Sequence, residues 1–142
     1  MIMQCLQPIT LKNPAKIKTN PSLTVPCGKC AACLSRRRDD WSFRLNEELK
    51  QSTSANFVTL TYEDEKCPYK SFRKEDIQLF IKRLRKSLEF TKIKYFISSE
   101  YGFRTHRPHY HMIIFNIPLD LDVKKVLVDK WQIGRASCRE RV

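Results

Sequence analysis

Between residues 73 and 90, the apolar residues Ile77, Phe80, Ile81, Leu84 and Leu88 fall at i, i+3, i+4, i+7 and i+11, one stripe along a helix. This stripe constrains the fold most, because a helix apolar on one side is stable only when packed against another layer. Lys82, Arg83, Arg85 and Lys86 project largely away from it. The neighbouring segments read as strands. Residues 57–62 (FVTLTY) alternate β-branched and aromatic side chains, residues 93–100 form a second strand, and residues 109–117 a third whose later part is apolar on both faces. Upstream, Leu34, Trp41, Leu45 and Leu49 recur at helical spacing, with Arg36, Arg37 and Arg38 opening that helix and residues 52–56 ending it. Residues 67–71 and 101–108 read as loops, and Asp120 or Asp122 can cap a last helix through Trp131. The order helix, strand, helix, strand, strand, helix predicts an α+β fold, a central antiparallel sheet with helices on one face.

With 142 residues, 42% of them hydrophobic, the chain can bury one modest core but not two full domains, and it is too apolar for a disordered tail. No apolar run approaches the roughly 18–20 residues of a membrane span, and no secretory signal opens the chain, so a cytosolic location without membrane partners is expected. Residues 1–26 hold four of the seven prolines, Pro8, Pro14, Pro21 and Pro26, and read as an extended or turn-rich arm that needs an anchor. The expected organisation is an arm with a cysteine cluster over residues 1–33, then an α+β domain over residues 34–131. A formal charge of +12 favours a polyanionic partner, nucleic acid first, because each neutralised phosphate releases counterions; the alternative is a basic surface with no dedicated partner.

The last ten residues, IGRASCRERV, back-translate to a string that matches a common short-read sequencing adapter, and Gln132 supplies its first two bases. Residues 132–142 are therefore expected to be a translated scar, excluded from the fold, with the reading frame cut inside the domain. Without the tail's three arginines and one glutamate the chain stays strongly basic, and losing Cys138 leaves an odd number of cysteines.

His109, Tyr110 and His111 begin a strand, so the two imidazoles share one face and Tyr110 takes the other. The pair can hold one divalent ion. If residues 95–100 pair antiparallel with 109–114, the Glu100 carboxylate comes close, and two histidines with one carboxylate leave positions open for substrate oxygens. The alternative is a pair of hydrogen-bonded surface histidines.

Cys27, Cys30 and Cys33 are spaced too closely for a disulfide framework. With Cys5 as a distant fourth they form a tetrahedral set suited to structural Zn²⁺, which would tie the arm to the first helix. Cys67 is an alternative fourth ligand. An iron–sulfur cluster lacks the expected next cysteine, since Arg37 occupies that position, and free thiols remain the plain alternative. For phosphate contacts the candidates are Arg104 and Arg107 before the histidines, Arg36, Arg37 and Arg38, and Lys82 and Arg83, although a solvated helix face explains the last pair equally well. Phe103 can stack on a base or close its loop, and His106 lies outside the ligand register.

Taken together, FVTLTY, a helix ending FIKRLRK, SSEYGFRTHRPHYHMIIF and the upstream VPCGKCAACLSRRRDDWSFRL resemble the replication initiators of the Microviridae. The likeness is strongest to the gokushovirus-like group, within the HUH endonuclease superfamily, and spans most of residues 3–131. His109, Tyr110 and His111 correspond to its His-hydrophobic-His motif, Tyr110 departing mildly, and Glu100 to the carboxylate that often completes it. The resemblance implies nicking of single-stranded DNA at a replication origin, a 5′-phosphotyrosine bond, a Mg²⁺ or Mn²⁺ ion at the His pair, and action in a bacterial cytoplasm beside the host replication machinery. The superfamily's nucleophilic tyrosine follows the His motif. Here Tyr62, Tyr69, Tyr95 and Tyr101 precede it and Tyr110 faces away, so the chain is expected to bind metal and DNA without nicking. These four read as packing residues, with base stacking open to Tyr101. Two other readings remain: an HUH transposase or relaxase, and a non-catalytic, zinc-stabilised nucleic-acid-binding module.

Overall fold

The computed structural model describes residues 4–12, 22–68, 71–89 and 91–141. The chain divides into two compact units, Met1–Glu48 and Leu49–Val142. In the first, β1 (Ile9–Lys12) and β2 (Ser22–Val25) pair antiparallel, and α1 (Ala31–Gln51) begins directly after the cysteine knuckle. The arm is thus partly a two-stranded ribbon where only extended or turning chain was expected, while Pro14 and Pro21 lie outside the described residues. The α1 helix starts three residues before Leu34. Leu34 and Trp41 of its anticipated apolar stripe are exposed, because the arginines interleaved with them leave no continuous apolar face.

The second unit is a four-stranded antiparallel sheet in the order β4-β5-β3-β6, with β3 at Ala55–Tyr62, β4 at Lys94–Tyr101, β5 at Pro108–Phe115 and β6 at Gly134–Arg141. The helices of this unit are α2 (Lys74–Ser87) and α3 (Val123–Lys130). Alternation along each strand sorts the faces. Val58, Leu60, Tyr62, Tyr110, Met112 and Ile114 point into one core with Ile77, Phe80, Ile81, Leu84 and Leu88 from the α2 segment, and Val123, Leu127 and Trp131 close it. Each such apolar side chain contributes about 1.5–3 kcal/mol on burial. Asp122 caps α3, its side chain accepting from the Lys125 N–H at 3.1 Å, and Trp131 donates its indole N–H to the Thr61 carbonyl at 2.7 Å. This is the α+β architecture expected from the sequence, with element ends moved by one to three residues and Phe90 outside the described residues.

β6 has no counterpart in that expectation, which ended the fold at Trp131. It pairs with β3 from Tyr62↔Gly134 to Phe57↔Arg139, shifts register next to Asn56, and turns Ala136 and Cys138 toward the core. Its first residue passes so close to β3 that an added Cβ at Gly134 would lie 1.8 Å from the Thr61 carbonyl oxygen. Main-chain pairing along an open strand edge depends little on side chains, so such an edge accepts many sequences.

Candidate functional site

The face of the sheet turned away from α2 and α3 carries Phe57, Thr59 and Thr61 of β3, His109, His111 and Ile113 of β5, and Ser98 and Glu100 of β4. Register decides what meets on it. Glu100 pairs with His109 and Ser98 with His111, while Thr61 and Thr59 flank the same two histidines from the other side. The Glu100 Oε2 lies 3.4 Å from His111 Nε2 and 3.7 Å from His109 Nε2. The imidazoles meet edge to face, with centroids 4.9 Å apart.

Behind the rings, each Nδ1 already has a partner. His109 Nδ1 lies 3.4 Å from the Arg107 carbonyl oxygen and His111 Nδ1 3.1 Å from the Thr59 hydroxyl, so as N–H donors both leave Nε2 bare toward Glu100. Phe57 stacks on the His111 ring at 5.7 Å and 19°, fixing its plane. Two atoms bound to one ion at about 2.1 Å stand at most about 4.2 Å apart, so the donor set of two imidazole nitrogens and one carboxylate oxygen fits a divalent ion. Thr59 and Phe57 were not singled out from sequence. Their signal is the strand alternation that puts residues 57, 59 and 61 on the face of the histidines.

Beside His109 opens a cleft of about 620 Å³ whose walls include Thr61, Asp64, Gly102, Thr105 and Arg107. Arg107 is tied there by an ion pair to Asp64 and by donation to the Tyr62 carbonyl at 2.9 Å, so it braces the cleft. Arg104 and His106 are exposed, and His106 takes a left-handed φ of 48° with its N–H on the Gly102 carbonyl. Phe103 is 95% exposed at the tip of the same loop, so it does not close it. Lys82 and Arg83 are not brought to the site, since α2 covers the opposite face of the sheet.

The tyrosines sort as expected. Tyr110 is 2% exposed and points into the core, where its hydroxyl lies 3.0 Å from that of Tyr62 and accepts the Arg73 N–H at 3.0 Å. Burial, with the Tyr110 and Asp76 hydrogen bonds, pushes the Tyr62 phenol far above its ordinary range. Tyr101 packs against Phe72 at 4.3 Å, Tyr95 lies under the Arg85 guanidinium, and Tyr69 is outside the described residues.

In the first unit the sulfurs of Cys5, Cys27, Cys30 and Cys33 all lie within 4.8 Å of one another. Cys5 and Cys30 are 3.9 Å apart, and Cys27 and Cys33 4.0 Å, close to the roughly 3.8 Å edge of a tetrahedron with 2.3 Å zinc–sulfur bonds. Main-chain N–H groups of Cys27, Lys29 and Cys30 point at the sulfurs of Cys5 and Cys27. Gly28 makes the turn between them with φ 74°. Backbone N–H groups of Leu6 and Cys33 hold the Cys30 thiol down to about 6. Cys33 is pushed up to about 12: the Gly28 N–H opposes the shift, but burial and the three neighbouring sulfurs outweigh it. Four thiolates can share this space only with a cation between them. Cys67, the other candidate, packs against the core of the second unit.

Arg36, Arg37 and Arg38 are exposed on α1, Arg38 being engaged by Asp39 and Ser35. Among the described residues, no helix is long and apolar enough to cross a membrane.

A family model described as replication-associated protein ORF2 matches residues 55–141, which hold the whole Glu100, His109 and His111 group. Replication-associated protein ORF2 of Spiroplasma virus 4 is 42% identical over 113 residues, covering 73% of this chain and 35% of that protein. Replication-associated protein VP4 of Bdellovibrio phage phiMH2K is 34% identical over 140 residues, 87% of this chain and 44% of its own length. Replication-associated protein ORF4 of Chlamydia phage 1 is 32% identical over 97 residues, covering 66% and 24% respectively. The chain therefore spans less than half the length of these curated relatives. No solved structure matches it. The match across the sheet and the likeness to these three phage proteins agree with the Microviridae resemblance of the sequence motifs, and the chain belongs to the family of replication-associated protein ORF2.

Proposed function

We propose that this chain is the metal- and DNA-binding part of a rolling-circle replication initiator, an HUH-type nickase that cuts single-stranded DNA at an origin. The observation that carries the reading is the convergence of Glu100, His109 and His111, with both Nδ1 atoms engaged behind the rings. These three residues would hold Mg²⁺ or Mn²⁺, which when bound supplies Lewis-acid polarisation of the scissile phosphate. Thr59 and the Arg107 carbonyl orient the rings, Arg107 braces the cleft, and the exposed Arg104 and Phe103 offer a phosphate contact and a stacking surface. In the complete protein a tyrosine outside this chain attacks phosphorus, forming the phosphotyrosine bond as the bond to the 3′ oxygen breaks, and that oxygen leaves with a proton as a 3′-hydroxyl. The tetrahedral Cys5, Cys27, Cys30 and Cys33 set would hold structural Zn²⁺ and offers no open position for chemistry. Its host would be a bacterial cell and its place the cytoplasm, beside the host replication machinery. Residues 132–142 are, on this reading, a translated adapter lying where the native continuation runs along β3.

The test joins sequence to chemistry. Source DNA read past codon 131 with the adapter removed is expected to encode a tyrosine followed at short spacing by lysine on an amphipathic helix. With Mn²⁺ and a labelled single-stranded origin, the extended protein forms a covalent adduct that Tyr→Phe abolishes, whereas residues 1–131 bind without nicking. A covalent adduct formed by residues 1–131 alone, or an extension without such a tyrosine, overturns the assignment.

A further inference from the structure

One face of α1 carries features that neither the metal site nor the cysteine cluster uses. Cys33, Arg36, Arg37, Asp40, Trp41 and Arg44 fall at i, i+3, i+4, i+7, i+8 and i+11 and line a groove of about 220 Å³ that starts at the cysteine knuckle. The groove is smaller than the roughly 300–1,000 Å³ of small-molecule pockets, a size that suits one planar ring rather than a whole metabolite. Its floor holds a tryptophan that is 43% exposed, although this residue type is ordinarily well buried. The Arg44 guanidinium sits 5.4 Å from the centre of that ring and fixes its orientation by cation–π attraction. Three arginines against one aspartate leave the groove net positive. Arg38, next to Arg37 in sequence, is engaged by Asp39 and Ser35 and takes no part in the lining.

We propose that this groove is a second single-stranded-DNA contact, built on α1 beside the knuckle, in which Trp41 stacks a base while Arg36 and Arg37 hold the flanking phosphates. It rests on the single-strand-binding reading above and adds to it a site outside the nuclease sheet. An aromatic platform beside arginines binds single strands with little sequence preference, because every base offers a π face and every nucleotide a phosphate. Arg44 acts as a positioning residue, holding the ring against which the base lies.

The chain has only two tryptophans, which gives the test its readout. Trp131 is 1% exposed and hydrogen-bonded inside the core, so a ligand-dependent change in emission reports Trp41. Titrating residues 1–142 with oligothymidylate is expected to quench emission in the parent chain and to leave Trp41→Phe, in which Trp131 alone emits, unchanged. With a fluorescein-labelled strand, the joint Arg36→Gln and Arg37→Gln substitution should reduce the salt slope of log K by about 1.4, two phosphates at about 0.7 each. Arg38→Gln should not change it. Unchanged zinc content and circular dichroism confirm that these surface variants are folded. Strand binding by anisotropy with no quenching of Trp41, or an equal slope loss for Arg38→Gln, overturns the groove while leaving the nuclease reading intact. Absence of any strand binding overturns both.

Discussion

Replacing Tyr110 by Phe separates a packing role from a chemical one at the position between the two histidines. The Tyr62 hydroxyl donates to Asp76 Oδ2 at 2.9 Å, so its oxygen is left to accept from the Tyr110 hydroxyl at 3.0 Å. Tyr110 in turn accepts from the Arg73 N–H at 3.0 Å, at the N-cap of α2. Deleting one oxygen therefore removes two hydrogen bonds and leaves a donor and a lone pair without partners at the edge of the core. At about 1 kcal/mol for each ordinary bond, the expected loss is about 2 kcal/mol. For a unit of the size of residues 49–142, each kcal/mol lowers Tm by roughly 4–8 °C, so a fall of roughly 8–16 °C is expected in calorimetry or thermal circular dichroism. Mn²⁺ affinity should not move, because Tyr110 faces the core while Glu100 and the histidines occupy the other side of the sheet. A Tm change under about 3 °C would refute the hydrogen-bond argument. Loss of the covalent adduct in the extended, folded Tyr110→Phe protein would make this residue the nucleophile and refute its assignment to the core.

Four further outcomes follow from the same geometry. Thr59→Val removes the partner of His111 Nδ1 and should weaken Mn²⁺ binding by roughly 10- to 100-fold, read by Mn²⁺ electron paramagnetic resonance, with Tm little changed. Cys30→Ser should abolish stoichiometric zinc in elemental analysis of the purified chain, and chelation of the parent should melt the first unit, because metal binding and folding are coupled there. Asn56 is buried with neither side-chain polar atom hydrogen-bonded among the described residues, so Asn56→Leu should raise stability by about 1–3 kcal/mol in urea unfolding. The native fold holds the Tyr62 phenol protonated while the unfolded phenol ionises near about 10, so stability is complete below that pH and falls as pH rises above it. A pH-independent unfolding midpoint between neutrality and pH 11 would contradict that burial.

Sequence alone determined what depends on local period and spacing. The α2 stripe, the alternating FVTLTY strand and the His-x-His pair are legible because helices repeat every 3.6 residues and strands every two, whatever surrounds them. Cys27, Cys30 and Cys33 are equally legible, as thiols too close in sequence to bridge one another. Tertiary structure decided everything that depends on register or on which edge meets which. Glu100 reaches the histidines only because β4 pairs with β5 as Glu100↔His109, and a slip of one residue would turn its carboxylate to the opposite face. Cys5 joins a cluster whose next member is 22 residues away, and Arg107, a phosphate candidate by charge, is claimed by Asp64 and the Tyr62 carbonyl. Lys82 and Arg83 sit over the wrong face for the metal site because the α2 stripe, once buried, fixes the direction of every other residue on that helix. Side-chain type constrains what a residue can do, but main-chain pairing, largely blind to side chains, decides which residues meet.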